Sequence, residues 1–169
     1  MNPDPAIINV VVERVLVREG GVADVGDGMG ITRYGQTDGW LGQYGLPQPK
    51  TRDDAAANYR AWLHLTKLEA LCTILDPLPD VVIDYAVNSG DSLAVEALQR
   101  AIGVTADGKL GPASLAALAG CQRSRTAHHV IADRLELIGH LITHKTEDAK
   151  FADNWMHRIG EQVRTLADS

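Results

Sequence analysis

The chain has 169 residues, 45% of them apolar and 22% charged, which excludes a disordered tail and suits one globular domain with a real core. A formal net charge of −6 excludes nucleic acid as the expected partner, because counterion release needs a concentrated basic surface. Cys72 and Cys121 each stand in an apolar or small-residue stretch, so they read as buried free thiols without a disulfide framework.

The N-terminal stretch MNPDPAIINVVVERVLVREGG has an apolar centre, but Glu13, Arg14 and Arg18 interrupt it and no basic leader precedes it. It does not read as a signal peptide, and no segment approaches the roughly 20 apolar residues that cross a bilayer. The expectation is a protein made in the cytoplasm, with no stable membrane insertion. Asp4-Pro5 predicts a helix start, with Ile7, Ile8, Val11 and Val15 at helical spacing and an end at Gly20-Gly21.

From Gly20 to Pro49 no period of 3.6 is sustained, and frequent glycines predict tight turns with a short hairpin around Gly30 to Thr37. So long a loop is usually functional or disordered, and Tyr34, Trp40 and Tyr44 within it point to an ordered, ligand-facing one. Beyond it the chain reads as helical. Thr51 with Asp54, and Thr66 with Glu69, have capping-box spacing, and Pro77 and Pro79 then force a break. Further helices are expected to close at Gly90 and Gly103, with a turn at Asp107-Gly108 and a helix opening at Pro112. The last two helices are expected over 124–144 and 147–167. Val130, Ile131, Leu135, Ile138, Leu141 and Ile142 face inward in the first; Phe151, Trp155, Ile159, Val163 and Leu166 form one stripe in the second. The fold class is therefore mainly α, a single domain with a small glycine-rich loop or hairpin lobe near its N-terminus. A ligand is expected between that lobe and the helical body.

A glutamate at a helix C-terminus feels the negative end of the macrodipole, which disfavours its ionised form. With apolar neighbours Glu19 would stay protonated and could donate to a leaving oxygen, as a glycosidase acid does. Gly20 and Gly21 would let a bulky substrate approach. Asp24, Asp27 and Thr32 follow within a turning loop that could carry a carboxylate and a hydroxyl across a cleft, where water attacks the other face of a sugar ring. On spacing alone the competing reading is favoured: a solvated helix-end Glu19 with aspartates that serve turns.

The segments EGG (19–21) and DGMGITRYG (27–35) resemble the N-terminal signature of glycoside hydrolase family 108, the bacterial and phage N-acetylmuramidases. Residues 81–118 are similar to that family's C-terminal segment, usually described as a predicted peptidoglycan-binding region; the similarity includes Asp84, Asn88-x-Gly90, Leu98-Gln99 and Asp107-Gly108-x-x-Gly111-Pro112. FADNWMHRI (151–159) resembles the family's closing Phe-x-x-Gly-Trp-x-x-Arg, with Asn154 in place of the glycine. Met29 stands where the first glycine of a Gly-Gly pair is usual, and the loop from Gly21 to Asp27 is slightly short.

The resemblance implies a lysozyme-like α+β fold with an N-terminal catalytic region (1–78) and a C-terminal helical, peptidoglycan-binding-like region (79–169). It implies that Glu19 is the acid that cleaves the β-1,4 bond between N-acetylmuramic acid and N-acetylglucosamine. Asp27 and Thr32 would shape the cleft or hold the attacking water, with Asp24 as the alternative to Asp27. Tyr34, Tyr85 and Asn88 are candidates for binding the glycan, although Tyr85 and Asn88 lie on an apolar helix and read equally well as satisfied core groups.

His140 and His144 are one helical turn apart but lack the companions of a metal site, and His128-His129 near Cys121 has no better context; no metal and no cofactor are expected. The implied protein is a phage or prophage endolysin acting on peptidoglycan glycan strands after holin-dependent release. The alternative is a non-catalytic peptidoglycan-binding protein or an exported cell-wall effector.

Overall fold

The computed structural model describes residues 2–24, 31–145 and 150–168. They are mainly helical and divide into two compact units, Met1–Ile74 and Leu75–Ser169.

The first unit opens with α1 (Pro5–Glu19). Asp4 caps it by accepting from the Ala6 amide at 2.8 Å, and Pro5 stands in the first turn, where a missing N–H costs nothing. Ile7, Val11, Val12, Val15 and Leu16 are buried on its inner face, against α3 (Arg52–Leu65). The hairpin is built from β1 (Val22–Asp24) and β2 (Ile31–Arg33), paired antiparallel with Ala23 opposite Thr32. The sequence placed the hairpin at 30–37; the first strand lies earlier, at 22–24. What occupies 33–36 is a tight turn closed by an Arg33–Gln36 bridge.

A second difference is α2 (Asp38–Tyr44), inside the stretch read as aperiodic. Seven residues with two glycines are too short to display a period, and packing supplies what propensity lacks. Thr37 caps its start and Gly45, with φ 64, ends it. Its Trp40 and Tyr44 lie against Tyr59 and Trp62 of α3, with ring centroids 5.5 to 6.5 Å apart in tilted and edge-on arrangements. Thr51 and Asp54 form the expected capping box. Thr66 does not open a helix: its hydroxyl donates back to the Trp62 carbonyl at 2.8 Å as α3 ends, and a single 3₁₀ turn, Leu68–Leu71, follows.

The second unit is organised on α4 (Pro77–Ser89), buried continuously from Pro77 to Ala86 and packed by α5 (Asp91–Ala101), α7 (Arg123–His144) and α8 (Ala152–Ala167). A helix covered on most sides needs the near-uniform apolarity of PLPDVVIDYAV, and its polar exceptions, the buried Asp80 and Asp84, must be partnered. Between α5 and α6 (Pro112–Gly120), buried Gln99 ties down the 107–109 turn: its oxygen accepts from the Asp107 and Gly108 amides at 2.9 Å, and its nitrogen donates to the Lys109 carbonyl at 2.9 Å.

The inward faces of α7 and α8 differ from the apolar stripes expected. Val130, Ile131 and Ile138 are buried as expected, but Leu135 is exposed and Arg134 is buried instead. On α8 the buried residues are Arg158, Ile159, Gln162 and Leu166, whereas Phe151 and Val163 are exposed and Trp155 is half-buried. A polar cluster around Asp84 draws these faces round. Arg134 and Arg158 donate to the two Asp84 oxygens at 2.8 and 2.6 Å, and Gln162 adds a bond at 3.2 Å.

Candidate active site around Glu19

Glu19 is the last residue of α1 and is half-buried. The helix stops there because Gly20 takes φ 70 and ψ −147, outside the helical region and open to glycine without strain. A Cβ at Gly20 or at Gly21 would meet nothing within 4 Å among the described residues.

The chain turns from Gly21 into the hairpin and returns along β2 to the same place. The Tyr34 amide donates to the Gly21 carbonyl at 3.0 Å, extending the ladder past its last strand pair. Arg33 and Gln36 exchange main-chain bonds of 3.2 and 2.9 Å around the Tyr34-Gly35 pair. Both central residues have positive φ, 54 at Tyr34 and 78 at Gly35, as the favoured two-residue hairpin turns of primed type require.

Gly35 presents its bare Cα to the acid. A Cβ there would lie 2.5 Å from Oε2, 2.6 Å from Cγ and 2.8 Å from Cδ of Glu19, so the carboxyl occupies the space a side chain would fill.

Glu19 thus ends one helix and Thr32 and Tyr34 stand on the hairpin that follows it, and the residue the structure sets against Glu19 is Gly35. Thr32 is the middle residue of β2 and is half-buried; Tyr34, also half-buried, is two positions further along the ribbon. Asp24 is the last residue of β1, paired through its backbone with Ile31. Asp27 lies outside the described residues.

Tyr85 and Asn88 belong to α4 in the second unit. Tyr85 is only 1% exposed and packs under Arg134, with the guanidinium carbon 5.5 Å from the ring centroid. Burial, reinforced by the neighbouring Asp133 carboxylate, pushes its phenol up to about 12. Asn88, with its amide oxygen turned toward Arg158, accepts from that guanidinium at 3.0 Å. Tyr85 is therefore a core side chain as it stands, and Asn88 is engaged by the cluster around Asp84.

His140 and His144 stack with ring centroids 4.1 Å apart, and among the described residues no three His, Cys, Asp or Glu side chains converge as metal ligands would. A shallow concavity of about 790 Å³ in the second unit is lined by Gln122, Arg123, Ser124, Arg125, His128 and His129, none of them a residue the sequence singles out for the glycan.

Sequence reasoning missed the residues that hold the Tyr34-Gly35 turn from behind. Tyr59 donates its hydroxyl to the Tyr34 carbonyl at 2.9 Å. Buried Gln36 donates to the Ala55 carbonyl at 2.9 Å and accepts from Asn58 at 2.8 Å. The turn had a signal, a Tyr-Gly pair after the β-like ITR. Its support from α3 had none, because Asn58 and Tyr59 read simply as part of a helix.

The fold and the site together define a mainly helical protein whose first helix ends in a glutamate seated on a β-hairpin turn. No family model matches the chain, and no curated protein is similar to it in sequence. Among solved structures, that of Brucella abortus SagA is similar, with a TM-score of 0.73 over 97% of this chain and 96% of that one, at 22% identity. The two share a fold.

Proposed function

We propose that the chain is a peptidoglycan hydrolase, an N-acetylmuramidase that cleaves the β-1,4 bond between N-acetylmuramic acid and N-acetylglucosamine, and a divergent member of glycoside hydrolase family 108. The observation that carries this reading is the Glu19 carboxyl at the C-terminal end of α1, seated on the Tyr34-Gly35 turn. It unites the two motif segments, EGG and the TRYG end of DGMGITRYG, at one place in the fold. The order of the three family-like segments along the chain supports it as well.

In this reading Glu19 protonates the leaving glycosidic oxygen as the bond to N-acetylmuramic acid breaks. A carboxylate from the hairpin loop, Asp27 or Asp24, and the Thr32 hydroxyl orient the attacking water on the opposite face, which gives an inverted anomer. The chemistry needs no cofactor. In this reading, release to the wall is the work of a holin-type partner of a phage or prophage lysis system.

The test is release of reducing ends from purified peptidoglycan by the wild-type and Glu19→Gln proteins, with mass analysis of the fragments. Muramic-acid reducing ends that fall by about 10²–10⁴-fold in the mutant are expected. A folded wild type that releases none, yet pellets with the wall, would replace the muramidase with a wall-binding protein.

A further inference from the structure

We propose that Gly35 and Tyr59 are positioning residues for the Glu19 carboxyl, Gly35 by forming the surface the acid rests on and Tyr59 by fixing that surface. The proposal rests on the reading of Glu19 as the acid.

A glutamate at a helix end has three rotatable side-chain bonds, and a half-buried one samples several rotamers unless something blocks them. A general acid has to be held within about 0.5 Å of its productive position. Here the blocking surface is main chain. The Cγ, Cδ and Oε2 atoms of Glu19 all crowd the space above the Gly35 Cα, so the turn limits the whole distal half of the side chain. A wall made of backbone offers no rotamer of its own through which to yield.

The wall is itself in an uncommon conformation. Tyr34 is a non-glycine residue at φ 54, a state that persists only where the surroundings over-determine it, and such residues cluster at functional sites. Three sets of bonds do so here. The Tyr34 amide is tied to Gly21, two residues past the acid, which closes helix end and turn into one ring. The Tyr34 carbonyl is held by the Tyr59 hydroxyl from α3. Gln36, two residues on, is 1% exposed and is clamped by Ala55 and by Asn58, which also donates to the Pro47 carbonyl at 2.8 Å. Since α3 packs on α1, the helix that carries the acid and the helix that holds its rest are braced against each other.

Position 35 therefore answers to two demands. Positive φ alone would be met by glycine and tolerated by asparagine; a Cβ there has room only if the Glu19 side chain moves away. Tyr59 separates positioning from folding, because Tyr59→Phe keeps the ring against Trp40 and Trp62 and removes only the hydroxyl.

The experiment compares wild type, Gly35→Ala and Tyr59→Phe on soluble glycan strands, and follows the carboxyl carbon of Glu19 by NMR in protein labelled at glutamate Cδ. The Glu19 resonance is identified by its loss in Glu19→Gln. Expected for Gly35→Ala is a kcat lower by about 10²-fold with KM within about twofold, together with a displaced Glu19 resonance. Tyr59→Phe should displace the same resonance and lower kcat by about tenfold with KM kept. Folded Gly35→Ala protein with wild-type kcat, or with its Glu19 resonance unmoved, would overturn the proposal. If Gly35→Ala does not fold, the same two readouts on Tyr59→Phe decide. If the wild type releases no reducing ends, the muramidase reading fails, and the resonance still decides whether the turn positions the carboxyl.

Discussion

Replacing Asp84 by asparagine should destabilise the protein far more than a surface substitution would. Asp84 is 0% exposed, and Arg134 and Arg158, at 1% and 9% by side chain, each reach one of its oxygens. Asparagine keeps the shape and one acceptor but removes the charge that two buried guanidiniums share. Breaking a buried pair costs about 3–5 kcal/mol, because the remaining charge loses its compensation, whereas an exposed pair is worth about 0–1 kcal/mol. At about 2–4 °C per kcal/mol for a chain of this length, the melting temperature should fall by roughly 6–20 °C.

Arg134→Met is the informative partner. Arg134 reaches Asp84 and Gln162 through a single nitrogen, while its Nε and Nη2 are buried without a hydrogen-bond partner among the described residues. Desolvation accordingly pushes its guanidinium below the usual arginine value. Methionine removes a cation and two unsatisfied donors at once and leaves Asp84 paired with Arg158, so its cost should be well below that of Asp84→Asn. Urea unfolding of both single mutants and the double mutant reads the coupling directly. An Asp84→Asn change within about 1 kcal/mol of wild type would refute the reasoning, since it would place the cluster with exposed ion pairs.

Two pH dependences follow from the same unit. The Gln99 amide, followed by the Lys109 main chain, holds the Asp107 carboxyl below its ordinary 3.8, so the bonds it makes stabilise the fold above that pH and are lost as pH falls through the lowered value. In urea titrations the stability gap between wild type and Asp107→Asn should be open at pH 7 and close well below pH 3.8. Tyr85 runs the opposite way. Its phenol titrates near 10.0 when unfolded and about 12 when buried, so the stability it contributes is complete below pH 10 and is lost as pH rises toward 12. Wild type should lose stability more steeply than Tyr85→Phe across that window, with phenolate absorbance reporting the titration.

How much of this was legible in the sequence depends on whether a feature is local. Asp4-Pro5, the Thr51-Asp54 capping box, the Asp107-Gly108 turn and Pro112 each act within one turn of chain, and each stands where their chemistry puts it. Thr66 with Glu69 has the same spacing as a capping box and fails, because α3 arrives from the N-terminal side and takes the Thr66 hydroxyl for its own last carbonyls. The helical stripes of α7 and α8 are only partly legible, for a longer-range reason: Val130, Ile131, Ile138, Ile159 and Leu166 go inward as expected, and Leu135 and Val163 do not. Periodicity assumes that apolar residues go inward, and Asp84, fifty residues and more from its partners, overrides that by demanding Arg134, Arg158 and Gln162.

The candidate site divides the same way. Glu19 was legible because a helix that ends in glutamate followed by two glycines is a local oddity. The residues that give it a fixed position were not. Gly35 reads as an ordinary turn glycine, and its contact with Glu19 arises only when the hairpin returns to the helix end it left. Tyr59 and Asn58 look like any polar or aromatic residues of an amphipathic helix, and only the fold makes them the far side of the turn. A candidate acid can thus be singled out from its own neighbourhood in sequence, whereas its support is distributed over segments that sequence separates. If the acid's chemistry depends on that support, substitutions at Gly35 and Tyr59, neither of which is given a chemical step, should damage turnover as selectively as changes at residues that touch the substrate.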